Sequence, residues 1–281
     1  MKLKYKIIKK LNSLTSREFD LLIFLIRRED EVTARVEGVY YRDVLKYTGM
    51  CKQSFYNALS ALERKNVIQI TRNSTIDYDV YIIDNEFPNQ DYSEGYVNLD
   101  RDVFYTEKFK LLKAHEKYML FEFMKGTHEN GHSMVRKPET LFNAFEKALN
   151  VSRRVIKGYL HTLRSFFSIG VKNGLYYITY LHSVFKKSEG RLAEEQWYLQ
   201  HQVRKEFNRN HIKYEKVDLK DAAEIVGQYR PLYKEVGNGT GIVLSALMKM
   251  IRKSVEGLLR KDRYASVPYI HTLVRQELKI S

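Results

Sequence analysis

The sequence predicts a mainly α-helical protein with short β wings: two winged helix-turn-helix domains followed by a helical C-terminal domain. Three observations lead there. An apolar pattern at helical spacing occurs twice in the first two thirds of the chain. Each copy ends in two short β-type runs around a polar turn. The last third is apolar at helical spacing with no strand pattern.

The first copy opens on a helix over 15–28, which Thr15 or Ser16 is placed to cap. A short strand follows over Val36 to Val39, then a second helix over Tyr41 to Tyr47. Thr48-Gly49-Met50 makes the turn, with Gly49 suited to a positive φ. The third helix spans 52–65. Strands over Ile68 to Arg72 and Tyr78 to Ile83 flank the polar wing Asn73 to Asp77.

The second copy has the same plan. At an offset of 98 residues, Leu14, Glu18, Leu21, Leu22 and Leu25 meet Leu112, Glu116, Met119, Leu120 and Phe123. At an offset of 101, Phe55, Leu59 and Leu62 meet Ile156, Leu160 and Leu163, and Ile68 and Ile70 meet Ile169 and Val171. The spacing predicts a helix over 112–125, a strand over Ser133 to Arg136 and a helix from Pro138 to Leu149. Proline suits a first helical turn. Asn150-Val151 turns the chain into a helix from Ser152 to Phe166. Strands over Ile169 to Lys172 and Leu175 to Tyr180 meet at Asn173-Gly174, a strong hairpin signal because both residues accept positive φ.

Charge supports a division into four segments. The chain has 48 Lys and Arg against 34 Asp and Glu, a net charge of +14. Residues 1–83 form the first domain, 99–185 the second and 186–281 the third, and each is net basic. Residues 84–98 contain four acids and no base. With Pro88, Gly95 and no helical period, this stretch reads as an acidic linker. It is long enough to set two modules one helical turn of DNA apart, about 34 Å.

A helix that reads DNA needs one face packed on its own domain and one polar face for the groove. At 100° per residue, Phe55, Ala58, Leu59 and Leu62 fall on one side, and Lys52, Gln53, Asn57, Ser60 and Arg64 lie away from it. In the second copy, Val155, Ile156, Tyr159, Leu160, Leu163, Phe166 and Phe167 form the apolar face. Arg154, Lys157 and His161 lie opposite, with Arg153 and Arg164 at the edges. Lys172 and Asn173 join the set from the wing. These residue types have the chemistry for it, since Arg pairs with guanine edges, Asn and Gln with adenine, and Lys with phosphate.

Taken together the two copies resemble tandem winged-helix DNA-binding proteins. The stretch Tyr96-Val97-Asn98-Leu99-Asp100-Arg101-Asp102-Val103-Phe104, followed by Leu111-Leu112-Lys113-Ala114-His115-Glu116, resembles the entry to winged-helix domains of plasmid and phage replication initiators. That resemblance covers about residues 96–180 and implies a short strand, a Leu-x-Arg step and a first helix. The expected function is sequence-specific binding of double-stranded DNA in transcription regulation. The alternatives are initiation of plasmid or phage replication at origin repeats, and a scaffold whose winged helices bind protein. Cytoplasmic location is expected, at the nucleoid in a bacterium, because no apolar run approaches a spanning helix and Cys51 is the single cysteine.

In the C-terminal segment, Leu192, Leu199, Val203 and Phe207 mark one helix, and Ala222, Ala223, Ile225 and Val226 a second. Val243 to Leu259 marks a third, and Pro268 opens a fourth. This domain suits dimerisation of two copies, effector binding or an extra DNA contact. No enzyme, cofactor or metal is expected. Gly237 to Gly241 lacks the Gly-Lys-Ser/Thr ending of a phosphate loop. His161 and Arg164 have the His-x-x-Arg spacing of tyrosine recombinases, but no activating arginine box precedes them. His128 and His132 are four apart, yet Gly126, Asn130 and Gly131 indicate a loop there.

Overall fold

A computed structural model describes residues 2–74, 77–99, 102–129, 133–181, 183–185, 191–228 and Val255. It divides into two compact units: Met1–Glu29 with Thr33–Glu189, and Asp30–Val32 with Gly190–Ser281. The architecture is mainly helical with small antiparallel sheets.

The first unit starts with strand β1 (Lys2–Lys4), helix α1 (Tyr5–Ile8) and a 3-10 turn over Lys9–Ser13. Helix α2 (Ser16–Ile26) begins at Thr15. The Thr15 hydroxyl accepts from the Glu18 N–H, and the Glu18 carboxylate accepts from the Thr15 N–H at 2.8 Å, a closed capping box. Strand β2 (Arg35–Tyr40) leads to α3 (Tyr41–Thr48), which ends at Gly49 with φ of 69°. Helix α4 (Lys52–Arg64) and strands β3 (Ile68–Arg72) and β4 (Asp77–Ile82) complete the first repeat. The sheet order is β2-β4-β3, with Ile68 opposite Ile82 and Val36 opposite Val80.

Strand β5 (Tyr96–Asn98) and helix α5 (Glu107–Lys110) precede the second repeat. That repeat runs α6 (Ala114–Glu129), β6 (Ser133–Arg136), α7 (Pro138–Leu149), α8 (Arg153–Leu163), β7 (Phe167–Lys172) and β8 (Leu175–Tyr180). Its sheet order, β6-β8-β7, places the last strand in the middle, as in the first repeat. Glu116 accepts from the Lys113 N–H at 2.8 Å, repeating half of the Glu18 box. Lysine has no side-chain acceptor, so the other half is missing. Asn150 ends α7 with φ of 53°, standing where Gly49 stands. Asn173 and Gly174, at 51° and 72°, turn the second hairpin.

Three readings of the sequence change. Residues 84–98 are not a tether. Their strand β5 pairs antiparallel with β1, Lys2 opposite Asn98 and Lys4 opposite Tyr96. Asn85 is fully buried: its Oδ1 accepts from the Lys4 N–H at 2.9 Å, and its Nδ2 donates to the Lys2 carbonyl at 2.8 Å and to Glu29. Phe87 is buried beside Tyr92 and Tyr96, and Lys4 and Lys6 pair with Glu94 while Lys6 and Lys10 pair with Asp84. Two of the four acids of this segment, Asp84 and Glu94, answer the lysines of the N-terminus. Second, α6 continues through Gly126 and His128 to Glu129. A Cβ on Gly126 would lie 2.5 Å from Met134 Sδ, so this glycine admits β6 instead of breaking the helix. Third, Phe167 opens β7 and Val155 is exposed, which narrows the apolar face of α8 to Ile156, Leu160 and Leu163, with Tyr159 half-buried.

The two repeats dock through their first helices. Phe19 on α2 stacks on Phe121 of α6 at 5.6 Å, and Phe104 stacks on the same ring at 5.7 Å. Lys117, 1 % exposed, places its ammonium 2.5 Å from Asp20. Asn12 donates to the Ala148 carbonyl at 2.9 Å.

In the second unit, α9 (Arg191–Arg209) packs on α10 (Lys216–Gln228). Leu199, Val203 and Phe207 are buried, as are Ala222, Ala223 and Ile225. The expected third and fourth helices and the 237–241 break lie outside the described residues, apart from Val255, which is buried.

Candidate nucleic-acid interface

Helices α4 and α8 each bury one stripe and expose the other. Phe55, Ala58, Leu59 and Leu62 face the core from α4, and Ile156, Leu160 and Leu163 from α8. Lys52, Gln53, Asn57, Ser60 and Arg64 are exposed on α4. Arg153, Arg154, Lys157 and His161 are exposed on α8, and Arg164, Lys172 and Asn173 are exposed after it. The twelve residues therefore lie in two clusters, one per repeat, each beside its own hairpin.

Their partners differ. Gln53 donates to Asn57 Oδ1 at 2.8 Å, which orients both amides along the exposed face. Arg153 is held by α7: it pairs with Glu139 and Glu146, each at 3.1 Å, and donates to Asn143 at 2.7 Å. These carboxylates hold its guanidinium above even the usual arginine range. Much of its donor fork is occupied before any ligand arrives. Among the described residues the side chains of Arg154, His161 and Arg164 have no hydrogen-bond or ion-pair partner, so they carry the uncommitted donors of α8. Tyr159 stands behind them, its hydroxyl 3.3 Å from His115 Nδ1, and burial together with Glu116 raises its phenol.

A feature that the sequence pattern does not signal lies under the start of each helix. The Lys52 ammonium sits 5.1 Å from the Tyr41 ring centroid, and the Arg153 guanidinium 5.9 Å from that of Phe142. Both members of the pair are displaced by 101 residues, so the same offset that aligns the repeats aligns this contact. A cation over an aromatic face is attracted by the ring quadrupole, and here it ties the first turn of the third helix to the second helix. Lys157 also lies 5.9 Å over Phe142.

The N–H groups of Asn73 and Ser74 donate to the Asp77 carbonyl, and Arg72 Nε donates to the Ser74 carbonyl at 3.1 Å. Among the described residues no group of three or more His, Cys, Asp or Glu could hold a metal ion, and no helix is long and apolar enough to cross a membrane. His128 lies on α6, and His132, four residues on, is outside the described residues. Comparison with protein families, curated proteins and solved structures finds no match.

Proposed function

We propose that the chain is a tandem winged-helix protein that binds double-stranded DNA sequence-specifically and regulates transcription. The observation that carries this reading is the doubled element order with an exposed, acid-free third helix: residues 152–164 contain Arg153, Arg154, Lys157 and Arg164 and no carboxylate. A helix with one packed stripe and one donor-rich stripe is chemically suited to a major groove. The net charge of +14 supports attraction to a polyanion. The β5 segment and the residues leading to α6 support a second reading, replication initiation at origin repeats, with the same contacts to DNA.

Selection of bound fragments from random genomic DNA tests both readings. Operator-like sites upstream of genes are expected for a regulator, and clustered repeats at an origin for an initiator. Affinity for a selected fragment should fall with salt, with a log–log slope of about −0.9 per phosphate neutralised. No enrichment of fragments, or an affinity flat in salt, overturns the DNA reading and leaves a protein partner.

A further inference from the structure

The first repeat has an aromatic and basic surface where β2, α3 and α4 meet. Tyr40 at the end of β2, Tyr41 at the start of α3 and Tyr56 on α4 are each half-buried. The Tyr40 and Tyr41 rings meet edge to face at 5.0 Å, and Tyr56 lies 6.4 Å from Tyr41, backed by buried Tyr78 at 6.3 Å. Cations surround them. Arg42 Nε donates to the Tyr41 hydroxyl at 3.2 Å, its guanidinium lies 6.0 Å from the Tyr40 ring, and Lys52 is over Tyr41. Arg72 on β3 stands opposite Tyr78, the ring that backs Tyr56.

The second repeat serves as an internal control. The positions 101 residues on hold Phe142, Asn143 and Lys157 in place of Tyr41, Arg42 and Tyr56. Phe142 is buried. The end of β6 holds Arg136 where the end of β2 holds Tyr40. The fold is therefore built without partly exposed tyrosines at these places. Their presence in one repeat needs another reason.

We propose that the Tyr40, Tyr41 and Tyr56 surface of the first repeat, with Arg42, Lys52 and Arg72, binds unpaired DNA bases by stacking. The inference rests on the DNA-binding reading and deepens it. In a duplex the faces of the bases are covered by their neighbours, and a groove offers only edges. Aromatic rings beside Arg and Lys suit the opposite case, in which an open base stacks and its phosphate meets a cation. The two repeats would then divide the work: α8 with its uncommitted Arg154 on duplex, the tyrosine surface on a separated strand.

The test uses the full chain, a fluorescent twenty-nucleotide oligothymidine and a selected duplex, with anisotropy as readout. The expected result is that the parent binds both probes. Tyr41→Ala and Tyr56→Ala should each weaken oligothymidine at least about fivefold, Tyr56→Ala should leave the duplex within about twofold, and the Phe variants should keep both probes, since stacking needs the ring and not the hydroxyl. Photocrosslinking of a bromodeoxyuridine strand to the parent should map to residues 40–56, a measurement independent of whether any variant folds. Duplex binding without oligothymidine binding overturns this inference and leaves the function standing. Crosslinks only elsewhere, or Phe variants as weak as Ala, also overturn it. Binding of neither probe removes the DNA reading itself.

Discussion

At the scale of single residues, neighbouring arginines on α8 have different jobs. Arg153 is clamped by Glu139, Glu146 and Asn143, whereas Arg154 is exposed and uncommitted. Arg154→Ala should leave thermal stability unchanged and cost about 1–3 kcal/mol of binding at one base position if its fork meets a guanine edge. Lys157→Ala should weaken all sequences alike, as a phosphate contact does. Arg153→Ala should act mainly on the fold, and only slightly, because the ion pairs it gives up are open to solvent screening. Parallel thermal melts and binding to permuted sites distinguish the three. A loss of base preference in Arg153→Ala, with none in Arg154→Ala, would reverse the assignment. That Arg153 faces a carboxylate pair could not be read from its own helix, where no acid occurs. The acids lie on α7, and only the angle between the helices brings them together.

Among the elements, the pairing of β1 with β5 is the joint that the sequence hid. Asn85 satisfies one donor and one acceptor of the β1 backbone, so Asn85→Ala strands a buried N–H and a carbonyl. The expected cost is about 2–3 kcal/mol in a urea melt. Lysines hold the carboxyls beside this joint below their ordinary range: Lys10 and Lys6 lower Asp84, and Lys4 and Lys6 lower Glu94. A depressed folded pKa means that the contribution is present at neutral pH and is lost as pH falls below about 4. Amide exchange should show the Lys4 N–H losing protection there before the amides of α4; equal loss in both would separate the joint from these charges. The helices and turns of the repeats were legible because their signals are local: apolar residues at period 3.6, Gly49 and Asn150 at positive φ, Asn173-Gly174 in a hairpin. Strand β1 and its pairing with β5 were not, although the resemblance implied a short strand where β5 stands. Lys2 to Lys4 alternates charge and leucine over too short a span, and its partner lies far along the chain inside a stretch whose acids, counted without the lysines they face, look like a solvated linker.

For the whole molecule, the docked first helices replace the picture of two beads on a string. An isolated 1–83 fragment loses the partner strand of β1 and exposes Phe19, which Phe121 covers in the full chain. It should melt well below the intact protein, and a 1–185 fragment should unfold in one cooperative transition. Two separate transitions in 1–185 would restore the beads. Asp20→Ala tests the same surface at one point. It leaves the Lys117 ammonium buried without its counter-charge, and should cost about 2–4 kcal/mol, less than in a dry interior because Asp20 is 27 % exposed. The pairing of β1 with β5 also imposes an order on synthesis. Lys2 is made before its partner Asn98 and waits for it. At about 5–20 residues per second, that wait lasts on the order of 5–20 s. During it, Lys4, Lys6 and Lys10 stand without Glu94 and Asp84, the carboxylates that meet them in the fold, and remain open to any other anion.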